Sequence, residues 1–331
     1  MPSLDHLHPN DPRRLALEVI DVCGIAEPPV DEYAVIDYFQ MALLCTPLLA
    51  VPGCSALAGA AHRLSGVLIK DNPDEPPLVW ANPEMSAGRF RWTVFHEVGH
   101  HDIGHEGGRF VDEDRTLRPA MGRPELVPTD YRQVAYQGVL LDTMGVQEPT
   151  FEPVSMETFE SVRRKQQERE ANSYAAELIM PTPFFWPEAR GLPLGIVAIN
   201  DLSQRYGASF EATAIRYAQA CPERCAVFAA EPVPDADGGV SGFEVAYSVR
   251  GRSAFLHGLR QGSSLPFTGL LAEAWTTGGP ARGSVTADLL GLDSRARVVA
   301  DALKLGHHGR LVAIIWLQSG QLPMLTEGDM R

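Results

Sequence analysis

Two histidines four places apart, with a glutamate directly after the first, constrain this chain more than any other feature: His96-Glu97-Val98-Gly99-His100. On an α-helix, residues four apart share a face, so His96 and His100 can offer imidazole nitrogens to a single metal ion. Glu97 lies one step round from His96 and can reach a water held by that ion. The flanks agree with a helix. Asn82-Pro83-Glu84 or Ser86 can cap its start, proline being tolerated in a first turn. Phe90, Val94, Phe95 and Val98 recur at helical spacing as a core-facing stripe.

Upstream, 65–70 (SGVLIK) and 78–81 (LVWA) read as a β pair across the turn-rich stretch 71–77. A strand edge beside such a helix is suited to holding an extended peptide backbone.

At 331 residues the chain has room for two or three domains and a sizeable core. Its net charge of −14 opposes direct binding to nucleic acid, whose phosphates would be repelled. No hydrophobic run is long enough to span a bilayer, and the start lacks the apolar core of a signal peptide, so a cytoplasmic protein is expected. Five cysteines, an odd number without a secretion signal, favour free thiols. Cys221 and Cys225 are a close pair but lack the partners of a zinc site.

Residues 11–25 show helical spacing through Leu15, Val19, Ile20 and Cys23. Asp31 is placed to cap a second helix running through Tyr33, Ile36 and Phe39. After His100, the metzincin pattern would demand glycine at 103 and histidine at 106. Here Gly104 and His105 come one place off and position 106 is Glu, so His105 is expected at the helix end or behind the ligands. The third ligand must come from elsewhere. Residues 106–155 are turn-rich, with a short helix expected over 139–144, and form either a lid or an insertion. Residues 156–180 form a strong helix, charged at first, then small and apolar through Ala171, Tyr174, Ala175 and Leu178.

The stretch from Glu168 to Pro181 (EREANSYAAELIMP), following His96-Glu97-Val98-Gly99-His100, resembles the ImmA/IrrE metallopeptidase family. That family pairs H-E-x-x-H with a helix reading E-x-x-A-N-x-F-A-x-x-L-L-M-P. The resemblance spans roughly residues 30–218. It implies Glu168 as the third metal ligand and Glu170 as an outward residue or one behind the ligands. Tyr174 stands where phenylalanine is usual, and the connection from His100 to Glu168 is longer than the family pattern.

Residues 198–218 read as two short helices about Gly207-Ala208-Ser209, resembling a helix-turn-helix, with Leu202, Tyr206, Phe210, Ala214 and Ile215 inward. The second helix carries Glu211 as well as Arg216 and has no basic cluster, so a packing role is expected rather than DNA reading. Residues 229–242 read as a linker or long loop. Strands are expected at 243–250, 284–290, 298–305 and 311–317, with a helix at 269–277 and a turn at 306–309. By resemblance to the IrrE branch, this region is a GAF-like sensor or docking domain, with room for a small-molecule or protein ligand.

The expected architecture is α+β: a zincin-like metallopeptidase domain (1–190), a helix-turn-helix-like module (191–228) and a C-terminal α/β GAF-like domain (229–331). The expected chemistry is peptide hydrolysis by a zinc enzyme, manganese being an acceptable substitute. His96, His100 and Glu168 would hold the metal, and Glu97 would act as general base. Tyr131, Tyr136 and His105 are candidates for completing the oxyanion site. The resemblance implies an XRE-type helix-turn-helix repressor as substrate, cut to relieve repression under stress. The alternative is a non-catalytic, metal-bound regulator acting through protein–protein binding.

Overall fold

The computed structural model describes residues 11–46, 64–70, 74–105, 109–113, 156–221, 225–250, 259–285, 298–306 and 309–317. Helix α1 (Pro12–Val22) starts where the Asp11 side chain accepts from the Arg13 amide, and it buries Ala16, Leu17, Val19 and Ile20. Asp31 caps α2 (Glu32–Tyr38) in the same way, accepting from the Tyr33 amide, while Val35 and Ile36 turn inward.

A four-stranded sheet follows, built from β1 (Ala42–Leu44), β2 (Leu64–Ile69), β3 (Leu78–Ala81) and β4 (Arg109–Glu113). Its order is β1-β3-β2-β4. The expected pair is present, antiparallel, with Gly66 opposite Ala81 and Val67 opposite Trp80. Strand β4 adds an edge that the turn-rich reading of 106–155 did not anticipate. The remainder of that segment, including Tyr131, Tyr136 and the short helix expected at 139–144, lies outside the described residues.

Helix α3 (Ala87–Asp102) crosses this sheet, and α4 (Met156–Ile179) packs on α3 and α1. Three further helices follow: α5 (Thr182–Gly191), α6 (Ile196–Tyr206) and α7 (Phe210–Ala220). Helix α5 was not among the elements expected from sequence; Pro183 lies in its first turn, where no amide is needed. Helix α6 ends at Gly207 in the left-handed region, and Ser209 caps α7 by accepting from the Ala212 amide.

Within α6 and α7, Leu202, Tyr206 and Ala214 are buried as expected, but Phe210 and Ile215 are only partly covered. Thr213, Arg216 and Tyr217 take the inner face instead. Arg216 is the informative difference. It is buried and donates to Glu177 Oε2 at 2.5 Å, to the Met180 carbonyl at 3.0 Å and to Thr182 Oγ1 at 2.9 Å. It therefore ties α7 to the end of α4 rather than facing outward.

The second sheet holds β5 (Cys225–Pro234), β6 (Val240–Arg250), β7 (Ser264–Pro266), β8 (Ala281–Val285), β9 (Val298–Leu305) and β10 (Arg310–Leu317). It is antiparallel throughout, in the order β7-β6-β5-β10-β9-β8. The reading of 229–242 as a linker is corrected here: β5 and β6 form a hairpin through that stretch. Prolines and glycines suggested a break. The prolines lie in the exposed end of β5, and Asp235 Oδ1 closes the turn by accepting from the amides of Asp237 at 2.9 Å and Gly239 at 2.7 Å. The expected strand at 284–290 is seen as β8 beginning at Ala281; residues 286–297 lie outside the described ones. The helix at 269–277 is present as α8 (Gly269–Thr277), and β9 spans 298–305 as expected.

Alternation along β5 gives this sheet two apolar faces. Val227 and Ala229 join the core formed by the helices, together with Val312 and Ile314. Ala226, Phe228 and Ala230 face the other way and pack with Leu270 and Ala274 of α8. Buried Asp301 of β9 fastens sheet to helices: it accepts from the Ile196 amide at the start of α6 (3.1 Å) and from Arg282 Nε (2.5 Å). Among the described residues, no helix is long and apolar enough to cross a membrane.

Candidate metal centre

Helix α3 brings His96 and His100 to one face, one turn apart, with Val94, Phe95 and Val98 buried in the core behind them. Their Nε2 atoms are 3.1 Å apart. Helix α4 supplies the next group. Ala171, Tyr174, Ala175 and Leu178 form its fully buried stripe. At about 100° per residue, Glu168 and Asn172 fall on one flank of that stripe and Glu170 on the other. Glu168 Oε2 lies 3.4 Å from His96 Nε2, and its Oε1 lies 3.7 Å from His100 Nε2. Among the described residues these three form the cluster with metal-ligating atoms, all within 4.8 Å of one another.

The spacing and the proton positions both suit a cation. Tetrahedral donors at ~2.1 Å from an ion stand about 3.4 Å apart, close to these separations. His96 Nδ1 lies 3.1 Å from Asn172 Oδ1, an acceptor, so His96 carries its proton there and leaves Nε2 bare. Burial pushes His100 down to about 2, with His96 and His105 adding to the effect, so its imidazole is neutral at pH 7. A carboxylate and two imidazoles aimed at one point fit a divalent ion such as zinc.

Glu97 is fully buried, facing β2. A β-bulge prepares that face. Gly66 pairs with Asp112 and Leu64 with Glu113, leaving Ser65 as the extra residue. Asn82 holds the bulge through its amide to the Ser65 carbonyl (2.9 Å) and its Nδ2 to the Leu64 carbonyl (3.1 Å). Arg89 Nη2 reaches Ser65 Oγ at 3.0 Å. Glycine at 66 is required by contact: a Cβ there would stand 2.3 Å from Thr93 Cγ2 and 3.1 Å from Glu97 Oε1.

His105 sits close by without joining the three. Gly104, at φ +77°, ends the helix in a left-handed turn, and the His105 amide bonds back to the His100 carbonyl at 3.1 Å. That turn puts His105 Nδ1 2.8 Å from His100 Nδ1 and His105 Nε2 2.9 Å from Glu170 Oε2. Both of its nitrogens are thus engaged. Burial lowers its pKa, against the raising influence of Glu170.

Residues 143–217 match the family profile of the IrrE N-terminal-like domain. The chain carries an ImmA/IrrE family domain. The ImmA/IrrE match covers Glu168, Glu170 and Asn172 on α4; His96 and His100 precede it in sequence and meet it in space. A solved structure described as a Mycobacterium tuberculosis transcriptional regulator superposes with a TM-score of 0.50 at 14% identity, over 94% of this chain and 77% of that one. At that identity the likeness concerns fold alone. No curated protein matches the chain significantly.

Two features of this site escaped the sequence reading. Asn172 was visible in the motif, yet only its position opposite His96 gives it a role. The bulge at Ser65 had no sequence signal beyond a serine and a glycine inside a strand.

Proposed function

We propose that this chain is a zinc-dependent, site-specific endopeptidase whose substrate is an XRE-type helix-turn-helix repressor, cut to relieve repression in a stress response. The observation that carries the reading is the convergence of His96, His100 and Glu168, with Glu97 next to His96 on the same helix. Zinc or manganese held by those three would supply Lewis acidity at the site. Glu97 takes a proton from the attacking water and hands it to the leaving nitrogen as the C–N bond breaks. Its burial keeps competing solvent away from the carboxylate. Asn172 orients His96 throughout.

In this reading residues 1–190 perform the chemistry and residues 191–228 join the parts. Residues 229–331, with their six-stranded sheet and α8, act as a GAF-like sensor or docking unit. Selectivity comes from docking outside the cleaved residues. The acidic chain, at −14, attracts the basic face of a DNA-binding partner, so association weakens as salt rises.

The test is incubation of purified protein and zinc or manganese with the repressor encoded nearby. Two fragments should appear and vanish on chelation, while casein stays intact. Intact repressor in every metal and salt condition, with Glu97→Gln still relieving repression in cells, would instead favour a non-catalytic, metal-bound regulator.

A further inference from the structure

His105 and Glu170 lie outside the three metal-ligating groups, yet they form a continuous line that ends on one of them. Gln166 Nε2 donates to Glu170 Oε1 at 2.6 Å, which leaves Oε2 for His105 Nε2 at 2.9 Å. His105 Nδ1 meets His100 Nδ1 at 2.8 Å. Lys70 Nζ, from the end of β2, grips the His105 carbonyl at 2.9 Å and holds the turn in place. His100 and His105 are both buried, so the line is shielded from competing water.

The direction of each bond follows from what each atom can do. A carboxylate oxygen accepts, so the hydrogen of that bond sits on His105 Nε2. In this Nε2–H tautomer, His105 Nδ1 can only accept. The proton shared between the two Nδ1 atoms therefore belongs to His100, and His100 Nε2 keeps its lone pair. That lone pair is the one facing Glu168.

We propose that His105, held by Glu170, is a positioning residue that fixes His100 in its Nδ1–H tautomer and so readies it as a metal ligand. Helix α4 then acts on the site from both flanks: Glu168 offers a ligand on one side, and Glu170 orders a ligand of α3 on the other. The positions explain why a histidine so near the H-E-x-x-H pair serves it without joining it. The left-handed turn at Gly104 directs the ring to the back of His100.

The inference rests on the metal-site reading, and the two can fail separately. Zinc affinity is measured by chelator competition on wild type, His105→Leu, His105→Asn and Glu170→Gln, each checked for fold by circular dichroism. Leucine removes the acceptor; asparagine keeps an oxygen near the place of Nδ1. His105→Leu should bind zinc about 10- to 100-fold more weakly, in the range seen when such supporting partners are lost. His105→Asn should recover most of that loss, and Glu170→Gln should fall between. In zinc-loaded wild type, the His100 Nδ1–H proton should give a slowly exchanging, downfield nuclear magnetic resonance signal. That signal should disappear in His105→Leu and persist in Glu170→Gln. Wild-type affinity in both His105→Leu and Glu170→Gln overturns the positioning role while leaving the metal site intact. Equal weakening by leucine and asparagine also overturns it, since packing alone would then account for the loss. Failure of wild type itself to bind zinc removes the metal-site reading, and this role with it.

Discussion

Gly99 lies flat against Tyr174: a Cβ at Gly99 would stand 3.1 Å from Tyr174 Cδ1 and 3.2 Å from its Cβ and Cγ. This contact sets how closely α3 and α4 approach, and Glu168 reaches the histidines only at that approach. Gly99→Ala should therefore cost about 1–3 kcal/mol through overpacking. It should also weaken metal binding, because Glu168 is carried outward with α4. Thermal denaturation and zinc titration of the same sample check both parts. An unchanged melting temperature would mean that the ring yields easily.

His96, His100 and Glu168 are proposed to hold one metal ion together. Replacing any one with alanine should lower zinc affinity by more than about 100-fold, beyond the loss expected for supporting residues. Elemental analysis of purified variants reads the outcome. Full zinc content in Glu168→Ala would show that α4 contributes no ligand.

Glu97 separates binding from chemistry. Glu97→Gln conserves shape inside the pocket between α3 and β2, so zinc and fold should be retained while cleavage falls by at least about 100-fold. Cleavage near the wild-type rate would remove the general-base role.

The buried ion pair of Glu177 and Arg216 joins α4 to α7. Glu177 also accepts from the Thr182 amide at 2.6 Å. Removing one partner leaves the other charge buried, at a cost of about 3–5 kcal/mol. Arg216→Met should thus lower the denaturation midpoint strongly. The double change Glu177→Met with Arg216→Met should be milder than the sum of the single changes, which a double-mutant cycle measures.

Stability of the metal-free protein should fall on acidification. The folded His100 holds its proton only near pH 2, whereas an unfolded histidine binds one near 6.5. The unfolded state therefore gains protons first as pH drops. Stability is complete above about 6.5 and declines below it by up to roughly 1.4 kcal/mol per pH unit for each such histidine. His101 and His105, both lowered by burial, act in the same direction. Asp102, raised by burial, opposes them from its usual 3.8 upward. Denaturant midpoints at pH 7 and pH 5 in the presence of chelator test the sign, with a higher midpoint expected at pH 7.

Local chemistry carried much of this protein into view from sequence alone. The cap at Asp31 needs only a short-range side-chain acceptor, and α2 starts where that residue stands. The 3.6-residue period of Val94, Val98, Ala171, Ala175 and Leu178 marked both helices of the site, because burial repeats with the helix turn. Hairpin pairing of 65–70 with 78–81 followed from alternation and a turn between.

Other features depend on what lies across space. Prolines near 232 read as a break because, taken singly, they lack an amide; the pairing of β5 with β10 and β6 outweighs that local signal. Nothing local in the sequence pairs Arg216 with Glu177 and the Met180 carbonyl, which lie 39 and 36 residues away in the chain. Asn172 opposite His96 and His105 behind His100 are likewise products of α3 meeting α4. Sequence alone determined which side chains were available, since spacing on one helix is a local property. Only the tertiary structure decided which of their nitrogens stay bare for a metal, because a tautomer is set by the partner on the ring's far side.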